Sequence, residues 1–79
     1  MQVDEVIRSL IERSGESART ISKRLGRATS WASMVGRSGR DPSLGTITRV
    51  ADVAGYDIAI IDRATGETVA TIDPPRREG

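Results

Sequence analysis

The 79-residue sequence has no cysteine, no histidine and no phenylalanine, and its aromatic residues are a single tryptophan and a single tyrosine. Without cysteine, no disulfide can staple the fold. Without cysteine or histidine there is no Cys–His or Ser–His pair to activate a nucleophile, and a zinc site would have to be built from carboxylates alone. An enzyme is therefore the least favoured reading, and neither a cofactor nor a metal is expected. No apolar run approaches the ~18 residues that a membrane span needs, and the first residues lack the apolar stretch of a signal peptide. The expected location is the cytoplasm, with no membrane partner. A chain this short makes one domain at most. With so few aromatics its core is thin, which favours association with a second copy.

The formal net charge of +1 conceals an uneven distribution. Between Ser17 and Arg40 stand Arg19, Lys23, Arg24, Arg27, Arg37 and Arg40, with no Asp or Glu among them, whereas from Asp41 onward acids outnumber arginines. Such a stretch can be a plain solvated face, but its sharp edges point to a polyanion as partner.

Apolar spacing divides the chain into helices followed by a hairpin. Val3, Val6, Ile7, Leu10 and Ile11 recur at helical spacing, with Asp4 and Glu5 in the first turn and Ser14-Gly15 at the end. Ser17 is a good N-cap for a second helix running to about Leu25. Ala18, Ile21 and Leu25 line one of its faces, Arg19, Lys23 and Arg24 the others, and Gly26 follows where a left-handed residue closes a helix. A short third helix is predicted at roughly Thr29 to Val35, with Ala32 and Val35 inward and Ala28 beside them. After a turn-rich loop from Gly36 to Pro42, Ser43 caps a fourth helix; its stripe is Leu44, Ile47, Val50, Ala51 and Ala54, and Gly55 stops it.

Thereafter the period changes from helical to alternating. Ile58 to Ile61 and Thr68 to Ile72 are β-branched runs around a three-residue loop, Ala64-Thr65-Gly66, that pairs Arg63 with Glu67. In that register Ile58, Ile60, Ala70 and Ile72 share one face, and Ala59, Ile61, Val69 and Thr71 the other. Both faces are largely apolar and a lone two-stranded hairpin is marginal in water, so one face is expected to cover the helices. The other, or the open edge, is expected to take a partner. Tyr56 is expected in the core at the helix-to-strand corner. Residues 1–56 are thus read as a helical domain, 57–73 as a hairpin that makes a dimer, and 74–79 as a disordered tail.

Between the second and fourth helices lies the least usual stretch, "LGRATSWASMVGRSGR". It holds the tryptophan and several hydroxyls but almost no large aliphatic residue. A helix, a Gly-led turn and a second, short polar helix describe a helix-turn-helix unit. With "SARTISKRLGRATSWASMVGRSGRDPSLGTITRVADVAGY" the chain resembles the Cro/cI-type (XRE-like) helix-turn-helix domains of phage repressors and bacterial regulators. The resemblance spans about residues 3 to 55. It rests on the order and spacing of Ser17, Ile21, Ser22, Leu25-Gly26, Ala32, Val35, Pro42-Ser43-Leu44 and Ala54-Gly55-Tyr56.

The resemblance implies a mainly α fold, a four-helix lambda-repressor-like helix-turn-helix domain followed by a C-terminal β-hairpin, α+β overall. It implies that the third helix enters the major groove of double-stranded DNA, with Thr29, Ser30, Ser33 and Met34 toward base edges. Arg27, Arg37 and Arg40, with the Ser17 hydroxyl, would meet phosphates. Small residues on the outer side of the third helix would let the backbone approach the bases closely. The chain also departs from the pattern. Ala18 stands where a Gln is frequent, Ala28 occupies the usual Ser/Thr cap position so that Thr29 would cap instead, and Gly36 replaces a frequent Glu. The hairpin takes the place of the usual fifth helix.

Plainer readings stand beside these. Trp31 is read as packing against Val35 and Arg27 rather than touching a base, Met34 as packing or readout, and Ser30 and Ser33 as solvent-facing residues if the helix never meets DNA. The expected function is a sequence-specific transcriptional regulator, a repressor, acting as a homodimer on a palindromic operator with half-sites about 34 Å apart. Ile58, Ile60, Ile61, Val69 and Ile72 are the expected dimer interface. The alternatives are an antitoxin that neutralises a toxin while repressing its own operon, and a protein–protein adaptor that keeps the fold without the DNA contacts.

Overall fold

Residues 1–75 are described by a computed structural model. The apolar stripe of the N-terminal segment forms α1 (Val3–Ser14), closed by Gly15 in the left-handed region at φ 73°. It is followed by α2 (Ala18–Arg24), α3 (Trp31–Val35), α4 (Leu44–Ala54) and two antiparallel strands, β1 (Ile58–Ile61) and β2 (Thr68–Ile72). The described residues therefore form an α+β domain of four helices and one hairpin. Serine caps start α2 and α4 as expected: Ser17 Oγ accepts from Thr20 N–H and Ser43 Oγ from Thr46 N–H, each at 3.2 Å. Each such cap is worth about 1 kcal/mol. Both helices end in a Schellman closure, with Arg27 N–H donating to Ser22 C=O at 2.9 Å and Tyr56 N–H to Ala51 C=O at 2.8 Å.

The core is small. Ile7 and Leu10 from α1, Ile21 from α2, Ala32 from α3, and Ile47, Val50 and Ala51 from α4 are its buried apolar residues. α1 lies on α4 and α2 on α3, and the two pairs close on each other through α1–α3 and α2–α4 contacts. Of the fourth-helix stripe, Leu44 stays 51 % exposed in the first turn. Thr48, outside the stripe, is buried, because its hydroxyl donates to the Leu44 and Gly45 carbonyls of its own helix and leaves only a methyl to pack.

The structure revises several expectations. α3 begins at Trp31, not Thr29, and Thr29 does not cap it. Leu25-Gly26 and Thr29-Ser30 are turns, the second closed by Trp31 N–H donating to Ala28 C=O at 2.9 Å. Neither Ala28 nor Ser30 offers a side-chain cap, so the start of α3 takes its acceptor from elsewhere in the fold. Tyr56 is 41 % exposed rather than core, because the closure of α4 turns the chain outward there.

In the hairpin the pairs Ile58–Ile72, Ala59–Thr71 and Ile60–Ala70 follow the expected register, but Ile61 then pairs with Thr68. Val69 is the extra, bulged residue. The turn begins one residue early: Asp62 pairs with Glu67, its N–H donating to Glu67 C=O at 2.8 Å, in place of Arg63. Asp62 Oδ1 accepts from Ala64 N–H at 2.8 Å, and this Asx turn draws Arg63 into the loop. Nor does a hairpin face cover the helices. Only Ile58 and Ile72 of the expected apolar set are half-buried, while Ile60, Ile61 and Val69 are 50, 58 and 66 % exposed. The hairpin projects from the helical body by its root. Of the tail expected to be disordered, Pro74 is half-buried and Pro75 reaches the start of α4, where a Cβ on Gly45 would lie 3.1 Å from its Cγ. Residues 76–79 lie outside the described residues.

Candidate nucleic-acid interface

A buried hydroxyl joins α2 to α3. Ser22 is wholly inaccessible, its Oγ donating to Ala18 C=O at 2.8 Å and accepting from Ala32 N–H at 2.9 Å. Ala32 is the second residue of α3, where the helix has no acceptor of its own to offer. Ser22 thus caps α3 from the neighbouring helix and sets how the two meet. The small Ser22 read from the sequence as part of a spacing pattern has a defined chemical task.

With Ala32 turned inward and Trp31 and Val35 half-buried, the remaining side of α3 faces solvent. Thr29, Ser30, Ser33 and Met34 are all exposed. Ser30 and Met34 lie one turn apart, Ser30 Oγ donating weakly to Met34 Sδ at 3.9 Å. Thr29 and Ser30 belong to the turn that leads into the helix rather than to the helix itself. Among the described residues none of these four side chains bonds to another element of the fold. The small Ala18, Ala32 and Gly36 leave a groove of about 450 Å³ between α1, α2 and α3, lined also by Ser33 and Arg37.

The arginines around this side differ in their surroundings. Arg27 lies over Trp31, its guanidinium carbon 5.3 Å from the ring centroid, so the tryptophan is a support for Arg27 as well as for the helix. Arg37 and Arg40 are exposed at the two ends of one turn, closed by Arg40 N–H donating to Arg37 C=O at 3.0 Å. Ser17 stands at the far end of α2 from Arg27. Its hydroxyl accepts from Thr20 N–H, so a phosphate would have to share it. Arg24, read as unopposed, forms an ion pair with Glu16 at 2.6 Å, just outside the acid-free stretch. Arg8–Asp4 is the other ion pair among the described residues. Arg19, Lys23, Arg27, Arg37 and Arg40 therefore have no acidic partner among the described residues.

Asp4 and Arg8 were missed as site residues by sequence reasoning. Asp4 is buried, its Oδ2 accepting from Arg8 Nη1 at 3.1 Å and from Gly39 N–H at 3.2 Å. Burial opposes the charge on this carboxylate, but the hydrogen bonds from Arg8, Gly39 and its own N–H, together with the Arg8 charge, outweigh it and hold the Asp4 pKa below the ordinary carboxylate value. The only signal in the sequence is the four-residue spacing of Asp4 and Arg8, which reads equally as an ordinary surface pair.

The expected dimer residues lie apart from this side, on the hairpin. No group of His, Cys, Asp and Glu among the described residues could hold a metal ion, and no described helix is long and apolar enough to cross a membrane. Comparison with protein families, with curated proteins and with solved structures finds no match to the chain.

Proposed function

We propose that this chain is a DNA-binding transcriptional regulator of the Cro/cI type. In this reading residues 1–56 are a lambda-repressor-like helix-turn-helix domain, α2 and α3 are the unit, and α3 lies in the major groove. The observation that carries the reading is the outer side of α3. Ser33 and Met34 on the helix, and Thr29 and Ser30 in the turn that leads into it, are exposed and are not needed by the core, and the inward contribution of the helix is one alanine and two half-buried side chains. Small hydroxyl side chains both donate and accept, and so suit the mixed hydrogen-bonding edges of base pairs. Arg27, Arg37 and Arg40 flank that side with no acidic partner among the described residues and supply the phosphate contacts that fix register.

No Arg, Gln or Asn stands between Thr29 and Val35. One copy therefore lacks bidentate base readers, and specificity requires two half-sites. The reading includes a homodimer through the hairpin, supported by the exposed Ile60, Ile61 and Val69 on two strands whose half-buried residues are Ile58, which packs against the helical core, and Ile72. The same exposed strands are where a toxin or another protein would dock.

Selection of bound duplexes from a random DNA pool tests this directly. The expected result is an enriched palindrome with half-sites about one helical turn apart. Arg37→Ala should lower the slope of log affinity against log salt by about one without changing the melting temperature, since the Arg37 side chain makes no hydrogen bond among the described residues. Absence of binding at low salt would overturn the reading in favour of the adaptor.

A further inference from the structure

The loop between α3 and α4 carries Arg37 and Arg40, yet α1 holds its shape. Gly39 takes a left-handed backbone, φ 85°, within the turn that begins at Arg37 and ends at Arg40. The Gly39 N–H donates to Asp4 Oδ2 at 3.2 Å, and that oxygen also accepts from Arg8 Nη1 at 3.1 Å. Arg8 Nη1 in turn donates to Gly36 C=O at 2.7 Å. Gly36 is itself pressed against α1, where a Cβ would come within 2.8 Å of Ile7 Cγ2. One carboxylate and one guanidinium of α1 thus grip both ends of the Gly36–Gly39 span. The Asp4 side chain is only 12 % exposed, whereas Arg37 and Arg40 reach into solvent.

We propose that Asp4 and Arg8 are positioning residues for backbone contact with DNA: they order the loop beforehand so that Arg37 and Arg40 meet phosphates without a further loss of chain entropy. The proposal rests on the DNA-binding reading above. A span bounded by two glycines is otherwise permissive in conformation, and ordering it at binding rather than at folding weakens affinity. The clasp does not itself touch DNA. Breaking it should therefore weaken binding while leaving unchanged the number of phosphates neutralised, and so the salt slope. Losing an arginine lowers that slope.

Phosphate contacts are independent of sequence, so a mixed-sequence duplex of about 24 base pairs, a little over two helical turns, serves as the probe. Anisotropy titrations of the full chain across a range of salt would compare the wild type with Asp4→Ala, Asp4→Asn and Arg8→Met. Asp4→Ala is expected to raise Kd about tenfold at every salt concentration, the size of ordering roughly one residue on binding, with the slope unaltered. Asp4→Asn, whose amide oxygen still accepts from Gly39 and Arg8, should restore binding to within about threefold of wild type. Arg8→Met keeps the apolar stem but removes the donors, and should resemble Asp4→Ala. In the DNA-free protein the Gly39 amide should be protected from hydrogen exchange in the wild type and in Asp4→Asn, but not in Asp4→Ala. Circular dichroism identifies any variant that fails to fold; if Asp4→Ala is one, the contrast between Asp4→Asn and Arg8→Met decides. Wild-type affinity in Asp4→Ala overturns the clasp and leaves the DNA reading standing, as does a reduced slope in that variant, which means a lost contact rather than lost order. A wild-type chain that binds no duplex at the lowest salt overturns the DNA reading, and the positioning role with it.

Discussion

Ser22→Ala tests whether one hydroxyl sets the meeting of α2 and α3. The Ala18 carbonyl keeps the backbone partner that its own helix supplies. Ala32 N–H, bonded to Ser22 Oγ at 2.9 Å in the wild type, is left in the interior with no acceptor. A buried donor orphaned in this way costs about 1–3 kcal/mol, and the space of one removed oxygen is too small for a water to replace it. Alanine's better helix propensity returns roughly 0.5 kcal/mol. The net loss is about 1.5 kcal/mol, a fall of ~6–12 °C in melting temperature for a domain of this size. Thermal and urea unfolding would be followed both by circular dichroism and by the emission of Trp31, which lies in α3 and reports on it directly. Amide exchange at Ala32 should accelerate. A variant within about 0.5 kcal/mol of the wild type, the spread of ordinary surface substitutions, would refute the idea that the α2–α3 junction depends on this bond.

Gly36→Ala should destabilise the fold by about 1–3 kcal/mol through overpacking, since its Cβ would meet Ile7 Cγ2 at 2.8 Å; urea titration checks this, and an unchanged midpoint would mean that α1 and α3 part easily. Stability should also fall at acid pH through Asp4. Its folded pKa is lowered, so the stabilisation is complete above the ordinary carboxylate value and is lost as pH drops through the lowered one. Melting curves from neutral pH to about pH 3 should show a smaller acid loss in Asp4→Asn than in the wild type. Ile61→Lys combined with Val69→Lys, both at exposed hairpin positions, should halve the solution mass in sedimentation while leaving the helical signal intact; a wild-type mass already that of one chain would exclude the hairpin dimer.

What the sequence by itself determined is whatever repeats or caps locally. The stripe from Val6 to Ile11 and that from Ile47 to Ala54 made α1 and α4 inevitable, because an apolar stripe at helical spacing must be covered. Ser17, Ser43, Gly15, Gly26 and Gly55 marked the helix ends through side-chain caps and left-handed closures that involve only near neighbours. The exposure of Ser33 and Met34 was legible for the same reason, since a short helix with one inward alanine leaves its other side outside, while Thr29 and Ser30 are exposed in the turn that leads into it.

Only the tertiary structure decided the contacts between segments far apart in the chain. Ser22 and Ala32 stand ten residues apart, and Asp4 and Gly39 thirty-five. No periodicity relates such pairs, so a buried cap for α3 and a clasp on the arginine loop looked like a small helix residue and a first-turn acid. The start of α3 shifted because its acceptor came from α2 rather than from its own flank. The hairpin slipped past Ile60 because an Asx turn at Asp62 competed with the three-residue loop, and the bulge at Val69 absorbed the difference. Local propensity chose the elements; hydrogen bonds from outside each element chose where they begin and how they meet.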